Sequence, residues 1–189
     1  MKIFFLASLL IGSVASAQIK IALNWKPEPQ FGGFYAAEEK GLFKAQKLDV
    51  KLIPGGSGTP TIQMLAAGQV DYAVVSGDEI LMSHDRGAKD VVAIFAVYQK
   101  NPQGIMIHAT QKISKLSELF EKKDMTLLWQ SGLPYAQFML KKYKPAKIKF
   151  APYLGGIANF QADHKIAQQV FVTSEPLAAQ KAGLPVKVF

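Results

Sequence analysis

Ser76, Asp78 and His84 stand close together in the chain and are the residue types of a nucleophile, an orienting acid and a base. No G-x-S-x-G elbow surrounds the serine, and Asp85 and Arg86 follow the histidine in a charged stretch. A solvated surface histidine therefore accounts for His84 better than a hydrolase triad does. His84, His108 and His164 are far apart, with no H-E-x-x-H and no i,i+4 pair, so they give no metal-ligand spacing. The run Pro54–Gly58 lacks the G-K-S/T ending of a phosphate loop. The helix N-terminus behind it could hold a carboxylate, sulfonate or phosphate by backbone N–H groups, or the run could be only a tight turn. Asp78-Glu79 stands where a strand ends and a helix begins, which suits a polar ligand at the carboxyl end of a sheet and equally suits a helix dipole. Trp25, Phe31, Phe34 and Tyr35 flank the carboxyl end of the first strand, where one or two of them could wall a flat ring.

The elements that must position these residues alternate. Strands are expected at Gln18–Leu23, Leu48–Ile53, Tyr72–Ser76 and Val91–Val97. Between them lie helices at Phe34–Lys40, from Thr59 (N-cap, with Pro60 at the first helical position) to Ala67, and at Glu79–Arg86. That order implies a parallel, doubly wound α/β sheet. A second α/β unit follows, with strands at Met125–Trp129, Lys147–Phe150, Val170–Thr173 and Val186–Phe189. Its helices are expected from Ser114, at Pro134–Tyr143 and at Pro176–Ala182.

Composition narrows the classes. The 189 residues contain no Cys, which removes disulfides, thiolate metal sites, iron–sulfur clusters and a Cys nucleophile. Lys and Arg number 22 against 14 acidic groups, yet Arg86 is the one arginine, so sequence-specific nucleic-acid reading is disfavoured. Lys2, the apolar run Ile3–Ile11 and the Ala15-Ser16-Ala17 ending read as a signal peptide over 1–17, cleaved after Ala17 for export to the periplasm. Residues 18–107 carry nine basic and nine acidic groups, whereas residues 108–189 carry twelve and five. This step places a lobe boundary near 108. The chain stops on an apolar strand, which reads as an architecture that ends before it is complete.

Several segments together resemble one family: Leu23-Asn24-Trp25-Lys26-Pro27, Gly33-Phe34-Tyr35-Ala36-Ala37, Pro54-Gly55-Gly56, Ala67-Gly68-Gln69-Val70-Asp71-Tyr72, Ser76-Gly77-Asp78-Glu79, Tyr98–Gly104 and Thr173-Ser174-Glu175-Pro176. They are similar to periplasmic solute receptors of ABC importers, in the branch of thiamine-pyrimidine-precursor receptors and the fungal thiamine-pyrimidine synthase. The resemblance implies a two-lobed type II periplasmic-binding fold whose chain returns to the first lobe, so that lobe 1 is incomplete here. It also implies a monomer that binds a small heteroaromatic solute, a thiamine-precursor pyrimidine first, by lobe closure and delivers it to an ABC permease in the inner membrane, with no cofactor and no nucleic acid. Receptors for sulfonates, nitrate and riboflavin-like molecules share the branch and remain alternatives. An exported synthase-like enzyme is another, but Val75 falls at that enzyme's lysine position and Glu79 at its histidine position. By the same resemblance Asn24, Trp25 and Phe34 line the cleft, with Ser76, Asp78 and Glu79 at the acceptor end. Ionised carboxylates there accept from ring or amino N–H groups. Tyr98, Asn101 and Gln103 sit at the interlobe crossing, and Glu175 reaches from the second lobe.

Overall fold

The computed structural model describes residues 17–189. The expected signal peptide lies outside the described residues apart from Ala17. Two sheets are present. The first is parallel, in the order β2-β1-β3, from β1 (Ile19–Ala22), β2 (Val50–Ile53) and β3 (Tyr72–Ala73). Ile19 pairs with Val50 and Ile21 with Tyr72. Its connections carry α1 (Gly32–Glu39), α2 (Leu42–Ala45) and α3 (Thr61–Ala66), and α4 (Gly77–Asp85) follows β3. Gly41 separates α1 from α2 with φ +67°, a left-handed conformation that glycine adopts without steric cost.

The second sheet is mixed, in the order β6-β5-β7-β4-β8. Its strands are β4 (Gln103–His108), β5 (Thr126–Trp129), β6 (Lys149–Pro152), β7 (Ile166–Phe171) and β8 (Val186–Val188). β5, β6 and β7 run parallel, whereas β4 is antiparallel to both of its neighbours. α5 (Leu116–Phe120), α6 (Pro134–Tyr143), α7 (Ala158–Ala162) and α8 (Glu175–Lys181) connect them. Leu127, Trp129, Ile105 and Ile107 pack with Phe120 and Ala136 in one core. On β4 the alternate residue Met106 joins Phe160, Val170 and Ala179 in another, as a period of two requires.

The expected strand Val91–Val97 does not form. Only Val91 of that run is buried, and Val92, Ile94 and Phe95 are each more than 60% exposed. An apolar run becomes a strand only against a hydrogen-bonding neighbour. β3 is two residues long, and none of the described residues pairs with its outer edge. Thr59 does not cap α3 either. Its Oγ1 accepts the Gly56 N–H at 2.8 Å and so closes the glycine turn, while Pro60 holds the cap position. β7 begins at Ile166, earlier than expected, because Gln168 and Gln169 hid a buried strand. Both are over 95% buried and hydrogen-bonded through their amides. The Gly-rich stretch contains the short helix α7, which carried no recognisable start signal.

Candidate functional site

The two sheets meet through an apolar cluster that joins Leu23, Trp25 and Phe31 to Leu128 and Tyr153. Trp25 follows β1. Its carbonyl accepts the Gly55 N–H at 3.0 Å, and a Cβ on Gly55 would stand 2.2 Å from the Leu23 oxygen. The glycine is needed because the turn after β2 lies directly on the backbone that carries Trp25. Tyr153 follows β6, and its N–H donates to the Trp129 oxygen at 3.3 Å. The Trp25 and Tyr153 rings stack with centroids 5.8 Å apart and planes inclined by 12°.

A carboxylate flanks each ring. Trp25 Nε1 donates to Glu28 Oε1 at 3.1 Å, and Glu28 Oε2 accepts from Gln30 Nε2 at 3.0 Å and Ser174 Oγ at 3.3 Å. From the second half of the chain, the Tyr153 hydroxyl donates to Glu175 Oε1, and the Phe171 N–H donates to Glu175 Oε2 at 2.8 Å. Lys26 Nζ crosses to the Leu154 oxygen at 2.7 Å. Burial pushes the Glu175 carboxyl above the usual carboxylate range, against the pull of the Tyr153 hydroxyl and of the Phe171 and Glu175 backbone N–H groups and with the charge of Glu28 adding to the rise. Burial, and then Glu175, push the Tyr153 hydroxyl up as well. Gln30 Oε1 and Thr173 Oγ1, beside this network, are buried polar atoms without a partner among the described residues. Two acids beside a parallel aromatic pair can accept from a flat ring that carries N–H donors.

Next to the seam is a cavity of about 690 Å³. Ser57–Pro60, Glu79, Ser83 and Arg86 border it from the first half of the chain, and Gln130–Pro134 and Phe150–Tyr153 from the second. It lies at the carboxyl ends of β5 and β6, where open α/β sheets take ligands.

The structure distributes the ten sequence candidates unevenly. Trp25 and Glu175 belong to the seam, with Phe34 packed against its apolar cluster. Asn24 is half-buried next to Trp25. Glu79 lines the cavity, and its Oε2 accepts from Ser76 N–H at 2.8 Å and Ser76 Oγ at 2.7 Å, so the pair also tethers the start of α4. Asp78 is exposed, and its Oδ1 accepts the Glu79 N–H at 3.2 Å. Tyr98 and Asn101 lie on the link between the sheets and Gln103 opens β4, and none of the three borders the cavity. There Asn101 Oδ1 accepts the Gln103 N–H at 3.0 Å. Ser76 and His84 are not brought together as a catalytic pair: His84 Nε2 bonds to the Val91 oxygen. Sequence reasoning missed Glu28, Gln30 and Tyr153. Glu28 had a usable signal, an acid between two prolines just past a strand's carboxyl end. Tyr153 had none, since its strand ended in an irregular glycine-rich stretch.

The NMT1/THI5 like family profile matches residues 28–189. The chain belongs to that family. A formylaminopyrimidine-binding protein of Halalkalibacterium halodurans is 24% identical over 121 residues, 62% of this chain and 36% of that protein. The 4-amino-5-hydroxymethyl-2-methylpyrimidine phosphate synthase THI11 of Saccharomyces cerevisiae is 27% identical over 74 residues, 39% of this chain and 22% of the enzyme. Among solved structures, the periplasmic aliphatic sulphonate binding protein SsuA of Escherichia coli superposes with a TM-score of 0.55 at 18% identity. That superposition covers 90% of this chain and 56% of SsuA. The chain thus matches about a fifth to a third of the length of these curated relatives. The fold is that of the type II periplasmic binding proteins.

Proposed function

We propose that this NMT1/THI5-like chain is an exported solute receptor of an ABC importer, or part of one. It closes two lobes, divided near residue 108, on a small heteroaromatic solute. A thiamine-precursor pyrimidine is the first choice. The observation that carries this reading is the parallel Trp25–Tyr153 pair with a carboxylate hydrogen-bonded to each ring. Opening the seam so that the rings stand about 7 Å apart, two stacking distances of roughly 3.5 Å, admits one flat ring between them. Glu28 and Glu175 then accept from its N–H groups, and Glu79 and Asn24 face the same ligand from the first lobe. Binding without catalysis is the reading for this family member, because Ser76 and His84 are each engaged elsewhere. The formylaminopyrimidine-binding relative supports the ligand class. A sulfonate or nitrate ligand is the second reading, supported by Arg86 and the starts of α4 and α6 at the cavity.

A thermal-shift panel of pyrimidines, thiamine, riboflavin, an alkanesulfonate and nitrate tests the proposal. A pyrimidine at 100 times its dissociation constant adds about 2.7 kcal/mol, or roughly 5–10 °C of Tm for a chain of this size. Stabilisation by the sulfonate or nitrate alone would replace the first reading with the second. No shift with any member would overturn both.

A further inference from the structure

The end of the second sheet remote from the seam carries a concentration of positive charge that solute binding does not use. β5, β6 and β7 all start at this end, with Thr126 in register with both Lys149 and Ile166. α6 runs back to the same end and terminates at Tyr143, where Lys144 takes a left-handed conformation with φ +46°. The topology therefore gathers the turn before β5, the end of α6, the start of β6 and the start of β7. Lys147 is paired with Glu121 at 3.0 Å, and Lys165 with Asp124 at 3.8 Å. Among the described residues, the exposed Lys123, Lys141, Lys142, Lys144 and Lys149 have no acidic partner. On α6, Phe138 is 58% exposed and stands three and four residues before Lys141 and Lys142. Lys142 Nζ lies 5.4 Å from the centre of its ring.

We infer that this end of the second sheet docks reversibly on an anionic phospholipid bilayer, a holding state separate from delivery to a permease, since the solute seam then points away from the membrane. Three features select that partner. All the unpaired cations are lysines, compact charges on flexible stems. These suit a diffuse field of phosphates better than the bidentate recognition arginine provides. They come from three elements that the topology gathers at one end, as contact with an extended surface requires. An exposed aromatic ring on the same helix as the lysines adds the apolar contact of an interfacial helix.

The test is co-sedimentation of residues 18–189, the chain without its expected signal peptide, with large unilamellar vesicles of phosphatidylcholine, with and without phosphatidylglycerol, at low and high salt. Partition onto the anionic vesicles is expected, falling as salt rises. The variant Lys141→Gln/Lys142→Gln/Lys144→Gln should partition about a hundredfold less, at roughly fivefold per lysine. Lys20→Gln/Lys40→Gln/Lys51→Gln removes the same charge from exposed sites of the first half and should bind as the parent does. Circular dichroism melts confirm that both variants fold. Equal loss in the two triples would reduce the effect to net charge and overturn the inference, as would equal binding to neutral and anionic vesicles. Competition by inorganic phosphate beyond that of chloride at matched ionic strength would point to a free-anion site and overturn it too. Binding to single-stranded DNA but not to vesicles would also refute it.

Discussion

Removing the acid at position 175 separates two roles that the seam assigns to it. In Glu175→Ala the Tyr153 hydroxyl and the Phe171 N–H lose their acceptor while staying buried. Each orphaned donor costs about 1–3 kcal/mol, so the pair costs about 2–6. Losing a carboxylate that burial already disfavours offsets part of this, leaving a net cost of about 3 kcal/mol. At roughly 2–4 °C per kcal/mol, Tm should fall by about 6–12 °C. Glu175→Gln behaves differently. Its carbonyl can keep the Phe171 N–H, and its amide can donate to the Tyr153 oxygen, so stability at pH 7 should stay within about 1 kcal/mol of the parent. The variants should also differ in pH response. The native carboxyl sits above its ordinary value of 4.5, so the fold holds this proton more tightly than the unfolded chain. The associated stability is complete below about 4.5 and is lost as pH rises through the native value. Melts followed by near-ultraviolet circular dichroism between pH 7 and 4.5 should show the parent gaining on Glu175→Gln as pH falls. A glutamine variant as damaged as the alanine one, or a parent–glutamine difference flat in pH, would refute this account of the seam.

Glu79→Gln should weaken the best pyrimidine from the panel about ten- to a hundredfold by calorimetric titration, the worth of one charged hydrogen bond, while the exposed control Glu38→Gln stays silent. Equal affinity in the two would take Glu79 out of the site. His108 is 1% exposed, stacked on Phe160 at 3.8 Å, with His164 at 4.3 Å, and burial lowers its pKa below 6.5. Its contribution to stability is present above about 6.5 and lost as pH falls through the native value. Melts of the parent against His108→Gln at pH 7.5 and 5.5 should therefore converge in acid, and a gap that widens there would contradict the assignment.

The sequence exposed what local pattern controls. α6 falls on its expected residues because Pro134 starts it and an amphipathic run sustains it. β1 and β2 lie within their expected segments because alternation or apolar runs bounded by turns mark them. The strand proposed at Val91–Val97 failed on a property no window contains, the presence of a neighbouring edge. β7 was obscured because two buried glutamines look polar until their partners are known. At the candidate site, Trp25 and Glu175 were marked by family motifs. Tyr153, which touches both, was not, since it stacks on Trp25 from more than a hundred positions away and lies in none of those motifs.

The pairing of β4 sets an order of events during synthesis. β1, β2 and β3 are complete once residue 73 has left the ribosome, and their βα connections are short-range. β4 emerges soon afterwards, but one of its neighbours is β7 and the other is β8. Ile105 exchanges both backbone hydrogen bonds with Phe189, at 3.1 and 3.0 Å. Closing so long a loop is slow relative to making local contacts. Until residues 186–189 appear, β4 presents an unpaired apolar edge of Ile105, Met106 and Ile107, and this nascent interval is when the chain is most open to mispairing or to capture by a holding factor.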